Sequence, residues 1–131
     1  MAVLEQVFRA HIAGNAGVSA IVGSRIYPNE APESATYPFI VYQGVDSTEA
    51  LVKPNVATVR LVKKRIQVDC YARTYGQCKD LEAAVKAAAY AFDSSVSSAV
   101  VLTRVVDAVD GGDEDEDIQR VSIDLSILFN E

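Results

Sequence analysis

The stretch IQVDCYARTYGQCKDL, residues 66–81, decides the fold of this chain. Its first seven residues alternate apolar with polar side chains, which predicts a strand with one buried face. Thr74 and Gln77 stand three residues apart, as in a capping box, where the two side chains satisfy backbone donors at a helix N-terminus. The stretch therefore predicts a strand that turns directly into a helix.

The helix after this corner has an apolar stripe at helical spacing. Its members are Cys78, Leu81, Val85, Ala88, Ala89 and Phe92. Glu82 and Lys86 lie four residues apart and can form an ion pair on the solvent side. Alanines among residues 83–89 permit a close approach to a sheet. We therefore expect this helix to pack against the strand before it.

The N-terminal segments are also predicted to be helical. Residues 2–13 place apolar side chains at helical spacing and end at Gly14, and residues 16–22 form a further helical segment. The proline-containing stretch that follows, residues 28–38, is predicted to be an ordered loop anchored by Tyr27 and Tyr37. The bond before Pro38 is a candidate for the cis form.

Strands are predicted where β-branched and aromatic residues concentrate. Residues 39–45 form one strand, which we expect to end at the polar residues 46–49. Residues 51–64 indicate an irregular or hairpin-like excursion. Two further strands, residues 100–109 and 121–129, complete the set. The predicted order is α-β-β-β-α-β-β.

This order indicates an α+β fold, a mainly antiparallel sheet with helices packed on one face. At 131 residues and 50% hydrophobic composition, the chain fits one domain, residues 1–131, burying roughly two thirds of its unfolded surface. Cys70 and Cys78 match no zinc motif and are expected to be buried free thiols. Glu5 comes too early for a signal peptide, and no apolar run approaches a membrane span. We expect a soluble protein with no membrane association.

Residues 110–117, DGGDEDED, form an acidic octet that contains six carboxylates. The other 12 of the 18 acidic residues balance the 12 Lys and Arg, so the net charge of −6 belongs to this octet. Such a charge argues against simple binding to nucleic-acid phosphates. We expect the octet to connect the last two strands as a hairpin, with Gly111 and Gly112 allowing the turn.

A basic cluster opposes the octet in charge: Arg60, Lys63, Lys64 and Arg65. One interpretation is a solvated strand edge, where Lys discourages aggregation between sheets. The other is a patch that faces a partner. The sequence leaves both open.

Motifs for catalysis or cofactor binding are missing from the sequence. The single histidine, His11, lies beside an apolar stripe and is expected to be a partly buried structural residue. No nucleophile elbow and no phosphate-binding glycine loop occurs. We therefore expect no catalytic residue and no cofactor.

The octet is the one candidate for metal binding. Counting from Asp113, a calcium loop would use Asp115, Asp117 and Asp124 at its third, fifth and twelfth positions. Ile118 stands at the sixth position, where glycine is needed, and no glutamate closes the loop. We expect no specific metal site. Weak cation accumulation, a solvated loop and a protein contact stay open.

Several short sequence segments, called phrases below, resemble in their order and spacing those of the tail-completion or tail-terminator (head-tail joining) proteins of long-tailed bacteriophages and prophages. The resemblance covers roughly residues 3–129. The phrases are Arg25-Ile26-Tyr27-Pro28, Ala31-Pro32, Tyr37-Pro38-Phe39-Ile40-Val41-Tyr42, Gln67-Val68-Asp69-Cys70-Tyr71-Ala72, and Thr74-Tyr75 ahead of the helix that contains Leu81. The acidic octet is not among them.

The resemblance implies a non-enzymatic structural protein of the virion tail, assembled in the host cytoplasm. Its subunits would form a ring, expected to be a hexamer, although the free protein can be a monomer. The ring would cap the tail tube, contact the tube protein and the head connector, and leave a channel through which DNA passes without specific binding.

Two other functions stay open on the residues alone. One is a metal-dependent hydrolase that uses the octet, and the other is an acidic decoy that binds a DNA-binding protein. In a ring, each subunit needs two different complementary patches. The candidate subunit or channel contacts are Asp110, Asp113, Glu114, Asp115, Glu116 and Asp117 of the octet, and Arg60, Lys63, Lys64 and Arg65 of the basic cluster.

Overall fold

A computed structural model describes residues 4–49, 61–93, 95–96, 100–113 and 118–130. Within these residues the chain forms three helices and five strands. The helices are α1 (Leu4–Ala13), α2 (Ala16–Val22) and α3 (Tyr75–Tyr90). The strands are β1 (Ile26–Pro28), β2 (Phe39–Glu49), β3 (Leu61–Ala72), β4 (Val100–Asp113) and β5 (Ile118–Asn130).

The five strands form one sheet in the order β1-β2-β3-β5-β4. β1 pairs with β2 in parallel, and the other three pairs are antiparallel. All three helices contribute to a core that lies on one face of this sheet, here called the helix face. The predicted α+β fold is therefore confirmed.

The alternating residues of the central strands supply the floor of the core. Ile66 and Val68 of β3 lie opposite Leu125 and Ile123 of β5, and all four are fully buried. Because successive side chains of a strand point to opposite faces, the residues between them lie on the other, open face. The alternation in residues 66–72 thus predicts the buried face correctly.

The helix α3 begins and ends at specific hydrogen bonds. At its start, Thr74 Oγ1 accepts a hydrogen bond from the backbone N–H of Gln77 at 3.2 Å, which confirms the part of the predicted capping box that the Thr74 hydroxyl forms. Near its end, His11 Nε2 donates to the carbonyl of Ala88 at 2.7 Å. Just beyond it, the buried Thr103 hydroxyl donates to the carbonyl of Phe92, also at 2.7 Å. These bonds fix α3 against α1 and β4.

The loop between β1 and β2 is anchored on the open face. Tyr27 and Tyr37 contact the ring of Phe39 at centroid distances of 6.0 and 4.9 Å, as predicted. Phe39 in turn stacks on Tyr71 of β3 at 4.8 Å. The Tyr37–Pro38 bond is cis.

The structure corrects the prediction for residues 46–49. These residues do not end the strand, because β2 continues to Glu49 after an irregularity between Gly44 and Asp46. Ser47 and Thr48 pair with Lys64 and Lys63 of β3. Polar residues fit here because ladder pairing uses backbone groups and does not require buried side chains on both faces.

Two other segments also differ from expectation. The short strand β1 was not predicted, since three residues carry too little alternation to be recognised. Of the predicted excursion at residues 51–64, the last four belong to β3, and residues 50–60 lie outside the described residues. Among the helices that the structure describes, none is long and apolar enough to cross a bilayer.

Replacing Thr74 by alanine should lower the free energy of unfolding by about 1 kcal/mol, because the N–H of Gln77 loses its acceptor. Denaturant titration followed by circular dichroism would measure the change. Thr74→Ser keeps the hydroxyl and should stay near the wild-type value. Equal losses in the two variants would contradict a capping role.

Candidate subunit-contact surfaces

The structure divides the acidic octet between a strand and a connector. Residues 110–113 belong to β4, which pairs with β5 up to Asp113 opposite Ile118. Residues 114–117, with four of the candidate carboxylates, lie outside the described residues. The predicted hairpin between the last two strands is confirmed, but its connector is shorter than the octet.

The predicted role of Gly111 and Gly112 as the turn is wrong. Both are paired in the ladder, opposite Arg120 and Gln119. Gly111 instead provides space: a Cβ at this position would stand 3.0 Å from Nη2 of Arg120. The guanidinium of Arg120 therefore lies against Gly111, at the base of the hairpin.

Asp110 is held on the helix face by α3. Its Oδ1 accepts a hydrogen bond from Lys79 Nζ at 2.6 Å, and the same ammonium donates to Glu82 Oε1 at 3.1 Å. Lys86 Nζ lies 2.6 Å from Glu82 Oε2, so the predicted Glu82–Lys86 pair is confirmed. Contrary to the expectation, the pair does not lie on the solvent side, because Glu82 is only 9% exposed.

Sequence reasoning missed Lys79, although its spacing of three residues to Glu82 is a usual ion-pair signal. What could not be read from the sequence is its contact with Asp110, 31 residues away. This contact links the acidic end of β4 to the first turns of α3.

The contacts of this network shift the pKa values of Glu82 and Lys79. Burial alone would raise the pKa of Glu82, but hydrogen bonds from Lys86 and Lys79 outweigh it and lower the pKa below its ordinary value. Hydrogen bonds to Asp110 and Glu82 raise the pKa of Lys79. Glu82 and Lys79 are therefore both charged at neutral pH.

The basic cluster does not form one patch. Its members on β3 alternate between the two faces of the sheet, because neighbouring strand residues point in opposite directions. Lys64 lies on the helix face and pairs with Glu5 of α1, whereas Arg65 lies on the open face and pairs with Asp124 of β5. Lys63 is exposed on the open face, and Arg60 lies outside the described residues.

The interpretation of the cluster as a strand edge is wrong. β3 is the middle strand of the five, between β2 and β5. Lys63 also lies far from the strand portion of the octet within one subunit. Lys63 is opposite Leu128 and Asp113 is opposite Ile118, ten residue steps apart on β5 or roughly 33 Å.

Asp124 does not fit the calcium loop in which it would be the twelfth residue. It lies on the open face in an ion pair with Arg65. It is six residue steps from Ile118, the first residue of β5, which corresponds to roughly 20 Å. Over the described part of the chain, no three His, Cys, Asp or Glu side chains are grouped to hold a metal ion. Asp115 and Asp117 lie outside that part.

The two thiols are buried and free, as predicted. Cys78 Sγ donates to the carbonyl of Cys70 at 3.5 Å across the corner between β3 and α3. Burial raises the pKa of both thiols, which keeps them protonated at neutral pH.

Glu82 should make stability depend on pH. Because its folded pKa is lowered, the stabilisation is present at neutral pH and is lost as pH falls below about 4.5, the ordinary value for Glu. Glu82→Gln should lower the free energy of unfolding at pH 7 by roughly 1–3 kcal/mol.

The measurement is the difference in unfolding free energy between wild type and variant, from pH 7 to pH 3. This difference should shrink toward acid. Asp80→Asn, which changes an exposed carboxylate of the same helix, serves as the control and should show no such trend. A constant difference for Glu82→Gln would rule out the linkage.

Comparison with known proteins places this chain in a family. Residues 6–130 match the family model described as Tail completion protein gp17. No curated protein matches the chain. A solved structure titled "Virion of native gene transfer agent (GTA) particle" contains a chain of the same fold, with a TM-score of 0.72 and 18% identity, over 98% of this chain and 95% of that one. The chain belongs to the tail completion protein family, and its role is that of a structural protein of a phage tail.

Proposed function

We propose that the protein forms a ring, expected to be a hexamer, that caps the tail tube and joins it to the head connector. The observation that carries this proposal is the family match over residues 6–130. The ring leaves an axial channel through which DNA passes without specific binding. Assembly takes place in the host cytoplasm, before the ring becomes part of the virion.

The distribution of charge supports a ring of identical subunits. A ring requires head-to-tail contacts between two different patches of the same chain. Exposed Lys63 and the acidic end of the β4–β5 hairpin lie at opposite ends of the sheet, about 33 Å apart. Opposite charges at this separation cannot pair within one subunit, so the two ends of the sheet can face different parts of the assembly.

We assign the octet to the channel. Lys79 on the helix face and Arg120 on the open face lie against its strand portion, at Asp110 and Gly111. The remaining carboxylates, Asp113 to Asp117, repeat once per subunit in a ring. A negative lining repels the phosphates of DNA, whereas a basic lining would bind them through many contacts.

The described residues favour a protein without catalytic activity. His11 donates its Nε2 hydrogen to a backbone carbonyl, and both thiols are buried with raised pKa values. A hydrolase would need ligands held rigidly by surrounding groups. Asp110 is held by Lys79 and Asp124 by Arg65, so these two carboxylates already have cationic partners.

Tails assembled without this protein should be overlong and should not join heads, because nothing stops the tube or offers a surface to the connector. Electron microscopy of tails from cells that lack the gene, with and without the gene supplied in trans, would measure tube length. Tubes of normal length joined to heads in its absence would refute the proposal.

Replacing Asp113, Asp115 and Asp117 by Asn, and Glu114 and Glu116 by Gln, tests the place of the octet. We expect rings and filled particles to form, but DNA ejection to slow, because the channel no longer repels phosphates. Electron microscopy would score rings, and DNA release would be followed by dye fluorescence. Asp80→Asn with Glu33→Gln removes exposed carboxylates elsewhere and should change neither.

Loss of the ring itself in the neutralised variant would contradict the channel assignment. It would instead place the octet in the contact between subunits.

A further inference from the structure

The strand β4 forms one edge of the sheet over fourteen residues. No strand among the described residues pairs with its outer side. The strand contains neither Pro nor Lys, and its edge is interrupted only by Arg104, Asp107 and register shifts between Val100 and Leu102 and between Val105 and Asp107. Its side chains Leu102, Val106 and Val109 are 50%, 51% and 56% exposed. This edge therefore combines unpaired backbone groups with exposed apolar side chains, as in a surface that is covered on assembly.

At the opposite edge of the sheet, part of β2 has no strand paired with its outer side among the described residues. β1 pairs only with Ile40–Tyr42, so the seven residues of β2 after Tyr42 continue past its end. A groove of about 550 Å³ lies there, between β2, the end of β1 and the first turn of α1. Val45 of β2, which is 50% exposed, lines this groove.

The groove lies where a longer β1 would run. Its polar lining includes Asn29 at the end of β1, and Gln43 and Ser47 along β2. An incoming strand could therefore pair with the backbone of β2 in line with β1, which is strand addition to an open sheet edge.

We propose that β4 of one copy of this chain docks in this groove of the next copy, so that the sheet continues from subunit to subunit. The lengths are similar, since β2 offers seven residues beyond β1 and the exposed apolar side chains of β4 fall within the eight residues from Leu102 to Val109. Val106 and Val109 lose their exposure to water, and Val45 supplies an apolar partner in the groove.

Neither surface carries an excess of charge of one sign. The charged residues that line the groove are Glu5 and Lys64, which pair with each other in the single subunit. The exposed part of β4 carries Arg104 and Asp107, which lie on the open face opposite Ser126 and Asp124. Net charge therefore does not oppose the contact.

This contact is head-to-tail, because it joins two different edges of the same sheet. Repetition of such a contact about an axis gives a ring, whereas pairing of β4 with β4 would close a two-fold dimer and stop. The inference rests on the ring of the proposed function and names the surfaces through which that ring closes.

Thiol cross-linking in assembled tails tests the contact. Val45→Cys and Val106→Cys together place one accessible thiol on each surface. Cys70 and Cys78 are fully buried and should not react with the cross-linker. A short bismaleimide should convert the double variant into a ladder of covalent oligomers that ends at the ring. Either single variant should give monomer only.

The matched control combines Val106→Cys with Val96→Cys, which is 42% exposed but lies outside the groove, and should give no ladder. Dimers from Val106→Cys alone would show that β4 pairs with β4 and would overturn the inference. Rings seen by electron microscopy without a ladder would overturn the inference and leave the proposed function standing. Tails without any ring would overturn both.

Discussion

The packing of α3 on the sheet is the interaction on which the rest of the structure depends. Leu81, Val85, Ala88 and Ala89 are fully buried between the helix and the strands. Small alanine side chains let the helix approach closely, and hydrogen bonds near its C-terminal end tie it to α1 and β4. The helix also holds Asp110 through Lys79, so the packing that forms the core orients the acidic end of β4.

Much of this fold could be predicted from the sequence, because the relevant patterns are local. The alternation in residues 66–72 and the capping spacing at Thr74 each depend on residues close in the chain, and both were confirmed. Predictions failed where the deciding partner is distant. Gly111 resembles a turn residue until Arg120 occupies the space beside it, and residues 46–49 resemble a strand end until β3 pairs with them.

Prediction of the candidate contact residues from the sequence fails for the same reason. The sequence identifies the charged residues but not the faces on which they lie. Lys64 and Arg65 are adjacent in the chain, yet they reach opposite faces of the sheet and pair with different elements. The groove beside Val45 and the open edge of β4 depend on strand order, which no local pattern encodes.

The absence of a side chain at Gly111 determines where the positive charge of Arg120 lies. Arg120 rests against it because no side chain is in the way, and a guanidinium can move aside at little cost to stability. A methyl group at position 111 would therefore leave the fold intact and displace a positive charge from the base of the hairpin. A substitution at position 111 would therefore alter the electric field of the hairpin while leaving its shape unchanged.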